Sequence, residues 1–189
     1  MTDKKVIRKE LLKKRNTLTE EECQEYSKLI ETQVFSLECY KNAKNLLVYA
    51  GYQKEVSTYG IIKHALQHQK RVFCPKVLEP GIMEFYEIFS LKDVVCGYKN
   101  IPEPIGDGSA FSFSDTYTNP ALMLMPVVGF DANTNRLGYG GGFYDRYLQR
   151  FPALERIGLA FECQKYEYKI PNEKTDIKPH HIITEQSIY

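Results

Sequence analysis

The segment Arg136-Leu137-Gly138-Tyr139-Gly140-Gly141-Gly142-Phe143-Tyr144-Asp145-Arg146 places four glycines within five positions. Neither a helix interior nor a strand runs through such a stretch, because each glycine loses the most backbone entropy on ordering. The run must be a turn. An apolar strand candidate, Ala121 to Val127 (ALMLMPV), precedes it, and a helix over 142–150 follows. Backbone without side chains can approach a ligand closely and aim its N–H groups at anionic oxygens. The following helix adds its positive end, which is a ready phosphate site. A plain strand-to-helix turn needs one or two glycines, so the surplus favours a phosphate cradle. It is not a Walker A loop, which needs G-x-x-x-x-G-K-[S/T]. Nor is it a dinucleotide fingerprint, since Phe143 stands where a third glycine belongs and no second nucleotide-binding half follows.

The rest of the chain fits a strand–turn–helix alternation. A helix is expected from Lys4 to about Arg15, and a second from the capping box Thr19/Glu22 to about residue 36. Asn45 to Ala50 reads as a buried strand, with a helix capped by Ser57 or Thr58 reaching Gln69, and a strand from Arg71 to Cys74. That order is a parallel crossover unit. Met83 to Phe89 reads as another strand, and 96–120 as a long surface connection rich in proline, glycine and serine. Arg156 to Phe161 and His181 to Thr184 complete the extended pieces. The expected fold class is α/β, a single three-layer domain over 1–189 with a mostly parallel sheet and helices on both faces. Ligands in such sheets sit beyond the carboxyl ends of the strands, where the loops after Ala50 and Val127 lie.

Composition narrows the function. The 189 residues carry 25 basic and 24 acidic side chains, a net charge of +1, which removes the electrostatic case for a nucleic-acid or membrane partner. The longest near-apolar run, Ala121 to Phe130, is too short to span a bilayer and contains Pro126 and Gly129. The N-terminus moves from Met1 to Lys4, Lys5 and Arg8 with no apolar core, so a cytoplasmic protein is expected. Five cysteines without C-x-x-C spacing argue for reduced thiols rather than a disulfide frame or zinc site. His64 and His68 sit four apart without the glutamate of H-E-x-x-H, and read as a solvated helix face.

Three further groups are candidates. At 100° per residue, Lys4, Arg8 and Arg15 fall within about 40° of one another, on the side of Leu11 and near Ile7, whereas Lys5, Lys9 and Lys13 point away. Core-side cations need an anion or a polar edge, although snorkelling at the domain rim is an equal reading for them. Glu55, just beyond the strand ending at Ala50, suits either a donor-rich ligand edge or a helix cap. Asp145 and Asp176 are candidate oxygen ligands for magnesium, and Asp145 reads equally as an ordinary N-terminal helix charge.

Taken together, RLGYGGGFYDRYL resembles the signature of the 5-formyltetrahydrofolate cyclo-ligase family. KKVIRKELLKKR, YQKEVST, NIPEP, MPVVGFDANTNRLGYGGG and IPNEKTDIKPHHIIT resemble further family segments, so the resemblance covers nearly the whole chain. It implies a three-layer α/β fold akin to phosphosugar isomerases and CoA-transferases. It also implies an enzyme that uses ATP and Mg2+ to convert 5-formyltetrahydrofolate, free or polyglutamylated, to 5,10-methenyltetrahydrofolate with release of ADP and phosphate. The formyl oxygen attacks the γ-phosphate, and nitrogen 10 then closes the ring. Carried over by position, Lys4, Lys5 and Arg8 and the run Arg136, Leu137, Gly138, Tyr139, Gly140, Gly141, Gly142, Phe143 and Tyr144 contact ATP. Arg8 and Arg136 stabilise charge. Ala50, Glu55, Tyr139, Gly140, Gly141, Gly142 and Phe143 contact the folate, and Asp145 and Asp176 match the magnesium positions. A monomer is expected, with no nucleic-acid or membrane partner. Two departures stand out: Phe143 replaces the first of two tyrosines, and His180 occupies the place of a second C-terminal aspartate. Rival readings are an ATP-independent isomerase or CoA-transferase relative, and an RNA-binding module, for which no aromatic RNP run or basic excess is present.

Overall fold

A computed structural model describes residues 3–97 and 100–189. Its helices are α1 (Lys4–Asn16), α2 (Glu20–Ser36), α3 (Glu38–Asn42), α4 (Tyr59–Gln67), α5 (Phe113–Thr118) and α6 (Phe143–Arg150). Its strands are β1 (Asn45–Val48), β2 (Arg71–Glu79), β3 (Ile82–Ile88), β4 (Val94–Cys96), β5 (Pro102–Pro104), β6 (Ala121–Pro126), β7 (Gly129–Phe130), β8 (Arg136–Leu137), β9 (Glu155–Leu159) and β10 (His181–Ile183). Six of them form one sheet in the order β10-β9-β6-β1-β2-β3. Every neighbouring pair is parallel except β2 with β3, so the sheet is mostly parallel with one antiparallel edge.

The continuous apolar runs of β1 and β6 follow from burial on both faces. Alternate residues divide between two cores. Leu46, Val48, Leu122 and Leu124 pack with Ile30 and Val34 of α2 and Ile61, Ile62 and Ala65 of α4. Leu47, Met123 and Met125 pack with Tyr147 and Leu148 of α6 on the opposite face. The helices on two faces complete the three layers. The β1–α4–β2 crossover has the expected parallel register, with Asn45 opposite Arg71. The capping box of α2 is formed in both directions: Glu22 N–H donates to Thr19 Oγ1 at 3.1 Å, and Thr19 N–H to Glu22 Oε2 at 2.7 Å. Among the described residues no helix is long and apolar enough to cross a membrane. The cysteines are free thiols, and burial pushes that of Cys74 up to about 12.

Three segments differ from the sequence expectation. The connection 96–120, whose residues 98 and 99 lie outside the described residues, carries β5 and α5, and β5 pairs antiparallel with β4. Prolines at both ends of this three-residue strand hide it from propensity reasoning, yet suit a short edge. Strand β2 continues well past Cys74 because its outer half pairs with β3 rather than with the parallel core. His64 is not a solvated histidine: its ring stacks on Phe35 (centroids 4.0 Å apart), and its Nδ1 lies 2.8 Å from Tyr40 Oη.

Between β6 and the glycine run, a small hairpin of β7 and β8 is tied by one carboxylate. Asp131, only 2% exposed, accepts from Asn133 N–H (2.9 Å) and Asn135 N–H (3.1 Å) at Oδ1, and from Asn135 Nδ2 (2.7 Å) and Ile170 N–H (2.8 Å) at Oδ2. Helix α1 packs on this hairpin through Ile7 and Leu11, which meet Leu137 and Ile170. Asp131→Ala strands several buried donors together, and is expected to cost about 3 kcal/mol or more. Urea denaturation checks this; a loss under about 1 kcal/mol would show that the hairpin holds without its carboxylate.

Candidate active site

The order of the sheet reverses at β1, which neighbours β2 on one side and β6 on the other. A cleft of about 870 Å³ opens there, lined by Tyr49 and Ala50 after β1 and by Pro126 at the end of β6. Its position obeys the rule for open parallel sheets. One wall is α1 with the glycine run. The opposite wall comes from β2, β3 and Ile101, Pro102 and Glu103 at β5, a contribution the sequence reading missed.

At one end the cleft is cationic. Lys4 and Arg8 reach it from α1, Arg136 from β8 and Arg146 from α6. Arg8 Nε donates to the carbonyl of Gly138 at 2.7 Å, and its guanidinium lies against Gly140. Arg136 is nearly enclosed, with its side chain 5% exposed; Nη2 donates to Asp145 Oδ1 at 2.7 Å, while Nε is buried without a partner among the described residues. This bond joins the two ends of the glycine run. Arg146 clamps it from outside, donating to Gly81 O at 2.8 Å and Gly141 O at 2.5 Å. Gly140 (φ +95°) and Gly142 (φ +65°) both require left-handed backbone, and Gly142 starts α6 with no side-chain cap. The first-turn N–H groups of α6 are thereby left for an acceptor from outside the helix. Gly141 is different: its φ is ordinary, and a methyl group there would meet the Phe143 ring.

Asp145 and Asp176 also line this end. Asp145 Oδ1 accepts from Arg136 and from Ile177 N–H (3.1 Å), so it is more than a helix charge. Asp176 Oδ2 accepts from Lys4 Nζ (2.5 Å) and Glu173 N–H (2.7 Å), with Glu173 Oε1 2.9 Å from the same ammonium. Burial would lower the Lys4 ammonium, but these two carboxylates outweigh it and raise it.

The other end is carboxylate-bearing. Glu55 does not cap α4. Its Oε2 accepts from Tyr52 N–H at 3.0 Å and its Oε1 from the Tyr139 hydroxyl at 2.6 Å. Burial raises its carboxyl above the usual range, opposed by those two hydrogen bonds and by the charge of Arg15. The Tyr139 hydroxyl in turn accepts from Arg15 Nη1 at 3.0 Å. Thr58, the expected cap, instead ties down the loop: its hydroxyl accepts from Gly51 N–H at 3.1 Å and donates to Tyr49 O at 2.5 Å.

Most predicted site residues therefore meet in one cleft. Lys5 does not: it is exposed and absent from the lining, on the outward face of α1. Leu137 contributes backbone, since its side chain belongs to the core with Ile7 and Leu11. Phe143 lines the cleft with its ring 5.5 Å from the Arg146 guanidinium carbon. His180 lies elsewhere, accepting from Arg156 N–H at 3.2 Å beside Glu155. Glu173 and Arg146 were missed, and their signal was faint: one is a loop acid, the other a helix arginine with no pattern of its own.

A family model described as the 5-formyltetrahydrofolate cyclo-ligase family matches residues 1–185. A Mus musculus protein named 5-formyltetrahydrofolate cyclo-ligase is 30% identical over 193 aligned residues, covering 97% of this chain and 94% of its own. One of that name from Escherichia coli (strain K12) is 30% identical, covering 93% and 97%. A solved Aquifex aeolicus structure named 5,10-methenyltetrahydrofolate synthetase superposes with a TM-score of 0.84 at 29% identity, over 98% of this chain and 91% of that one. A Mycoplasma pneumoniae structure with a TM-score of 0.76 at 24% identity has the same fold.

The cradle depends on backbone that only glycine adopts easily. Gly140→Ala is expected to lose about 1 kcal/mol or more in urea denaturation. A variant of wild-type stability would mean that this loop does not hold its left-handed conformation in solution.

Proposed function

Because the chain belongs to the 5-formyltetrahydrofolate cyclo-ligase family, we propose that it converts 5-formyltetrahydrofolate to 5,10-methenyltetrahydrofolate with ATP as phosphoryl donor. The observation that carries this reading is the two-ended cleft: a cationic glycine cradle at one end and a half-buried glutamate at the other. ATP phosphates suit the first, and the amino-bearing pterin edge suits the second.

The chemistry needs an oxygen turned into a leaving group. An amide-like formyl oxygen leaves poorly, so it first attacks the γ-phosphorus and ADP departs. Nitrogen 10 then attacks the imidate carbon, the C–O bond breaks, phosphate leaves with that oxygen, and the nitrogen 10 proton is released. Positioning and charge neutralisation dominate such transfers. Arg8 and Arg136, with the N–H groups of the glycine run, offset the developing negative charge. Glu55 fixes the pterin so that the formyl oxygen faces the cradle, while Tyr139 and Phe143 flank the substrates.

Asp145 and Asp176 fit a magnesium ion. Each has one oxygen committed to a cation, and no group of three metal-binding side chains occurs among the described residues. Magnesium rarely needs such a cage, since it takes one or two carboxylates and completes its shell with water and phosphate oxygens. Bound there, it would supply charge neutralisation to the triphosphate.

The direct test follows the absorbance of the methenyl product after mixing protein, magnesium-ATP and 5-formyltetrahydrofolate. Growth of that band only when all components are present is expected; no growth, or growth without ATP, overturns the reading. Two variants separate the ends of the cleft. Glu55→Gln turns an N–H₂ toward the donors of the pterin edge and is expected to lose about 1.5–3 kcal/mol of folate binding, with ATP binding little changed. Arg8→Ala is expected to show the reverse bias, raising the KM for ATP or lowering kcat with the fold intact. Equal losses for both ligands in either variant would mean a structural role.

A further inference from the structure

Arg15 is the one cation of the α1 stripe that does not line the cleft, yet it is 3% exposed. A buried guanidinium is costly unless its donors and charge are met, and the usual solution is a bidentate carboxylate. Here none is present among the described residues. Nη1 donates to the Tyr139 hydroxyl at 3.0 Å, the guanidinium carbon lies 5.8 Å from that ring's centroid, and Nε has no partner. The hydroxyl passes the interaction on, donating to Glu55 Oε1 at 2.6 Å.

The indirect arrangement has a chemical consequence. An ionised carboxylate offers about four acceptor positions on its two oxygens. A direct fork-to-fork pair with Arg15 would fill a matched set of them. Through the phenol, Glu55 spends one on Tyr139 and one on Tyr52 N–H, leaving about two for a ligand with adjacent N–H donors. We infer that Arg15 is a positioning residue for folate recognition: acting through the Tyr139 hydroxyl, it holds Glu55 in place without occupying the acceptor positions that the pterin N–H edge requires. The inference rests on the cyclo-ligase reading of this cleft.

Helix α1 then serves both ends. Arg8 and Arg15 are seven residues apart, roughly 10 Å along the axis, close to two turns and therefore on one face. Tyr139 belongs to the glycine run, so its hydroxyl ties the phosphate cradle to the folate glutamate. The groups facing Glu55 are Arg15, Tyr139, Tyr49 and Tyr144; desolvation and the charge of Glu55 both raise the three phenols above their usual range, so they stay protonated. Arg15 is thus the cation that favours ionised Glu55, against burial that favours the acid. Removing it shifts Glu55 toward its protonated form, which donates instead of accepting. Folate binding should then fail at a higher pH than in the wild type.

The test is calorimetric binding of 5-formyltetrahydrofolate without ATP, and of ATP without folate, across pH. It compares the wild type, Arg15→Met, Tyr139→Phe and the double variant. Arg15→Met keeps the volume and is expected to weaken folate about tenfold while ATP stays within about twofold. It should also move the acid limb of folate binding to higher pH. In the Tyr139→Phe background, where the relay is already cut, the same substitution should add under about threefold. Wild-type folate affinity in Arg15→Met, equal losses for both ligands, or full additivity overturns the inference while leaving the cyclo-ligase reading intact. Absence of folate binding in the wild type overturns both. If Arg15→Met does not fold, Arg15→Gln carries the test: it must weaken folate, spare ATP and move the acid limb upward, and unchanged folate affinity overturns the inference.

Discussion

The bond between Arg136 and Asp145 sets the shape of the glycine run, and the cleft depends on that shape. Five residues with four glycines would otherwise sample many conformations, and ordering them costs more backbone entropy than any other composition would. The bond joins the last strand residues before the run to the first turn of α6 after it. Both anchors are fixed in turn. Arg136 sits on a hairpin tied by the four-donor carboxylate of Asp131, and α6 is held by Tyr147 and Leu148 in the core. Within that frame Gly140 and Gly142 adopt left-handed backbone, and both line the cleft.

A site built this way stores electrostatic demand. Arg136, which lines the cleft, keeps a buried Nε without a partner among the described residues, and Lys4 is held by Asp176 and Glu173 rather than by solvent. Unmet donors are unfavourable in a folded chain and are expected where a ligand supplies the acceptors. The carboxylate end has the complementary demand, since burial raises Glu55, which lines the cleft and keeps acceptor positions beyond those spent on Tyr52 and Tyr139. Two opposite demands in one cavity fit a reaction between an anionic donor and a substrate with an N–H edge.

Much of this was legible from the sequence because its signals are local. The glycine run, the Thr19/Glu22 box and the apolar runs of β1 and β6 each follow from a short stretch of residues, and the cation stripe of α1 from helical geometry alone. What was hidden depends on partners distant in the chain. Arg15 looked like Arg8 until its hydrogen bond to Tyr139, 124 positions away, separated their roles. The outward geometry of Lys5 agrees with the structure, whereas the family resemblance had grouped it with the ATP contacts. Strand β5 could not be foreseen, because a three-residue edge bounded by prolines acquires its identity only by pairing with β4. His64 looked solvated because the ring it stacks on, Phe35, lies on another helix.

The central claim is that one cleft holds nucleotide and folate side by side, joined at Tyr139. Backbone amide chemical-shift mapping tests it most directly, using a non-hydrolysable ATP analogue with magnesium and 5-formyltetrahydrofolate, each added alone and then together. The nucleotide should move the amides of Gly138 to Asp145, the folate those of Ala50 to Glu55, and each should move Tyr139; with both present, the two sets should persist. Nucleotide shifts that avoid the glycine run, or a folate that displaces the nucleotide, would contradict it.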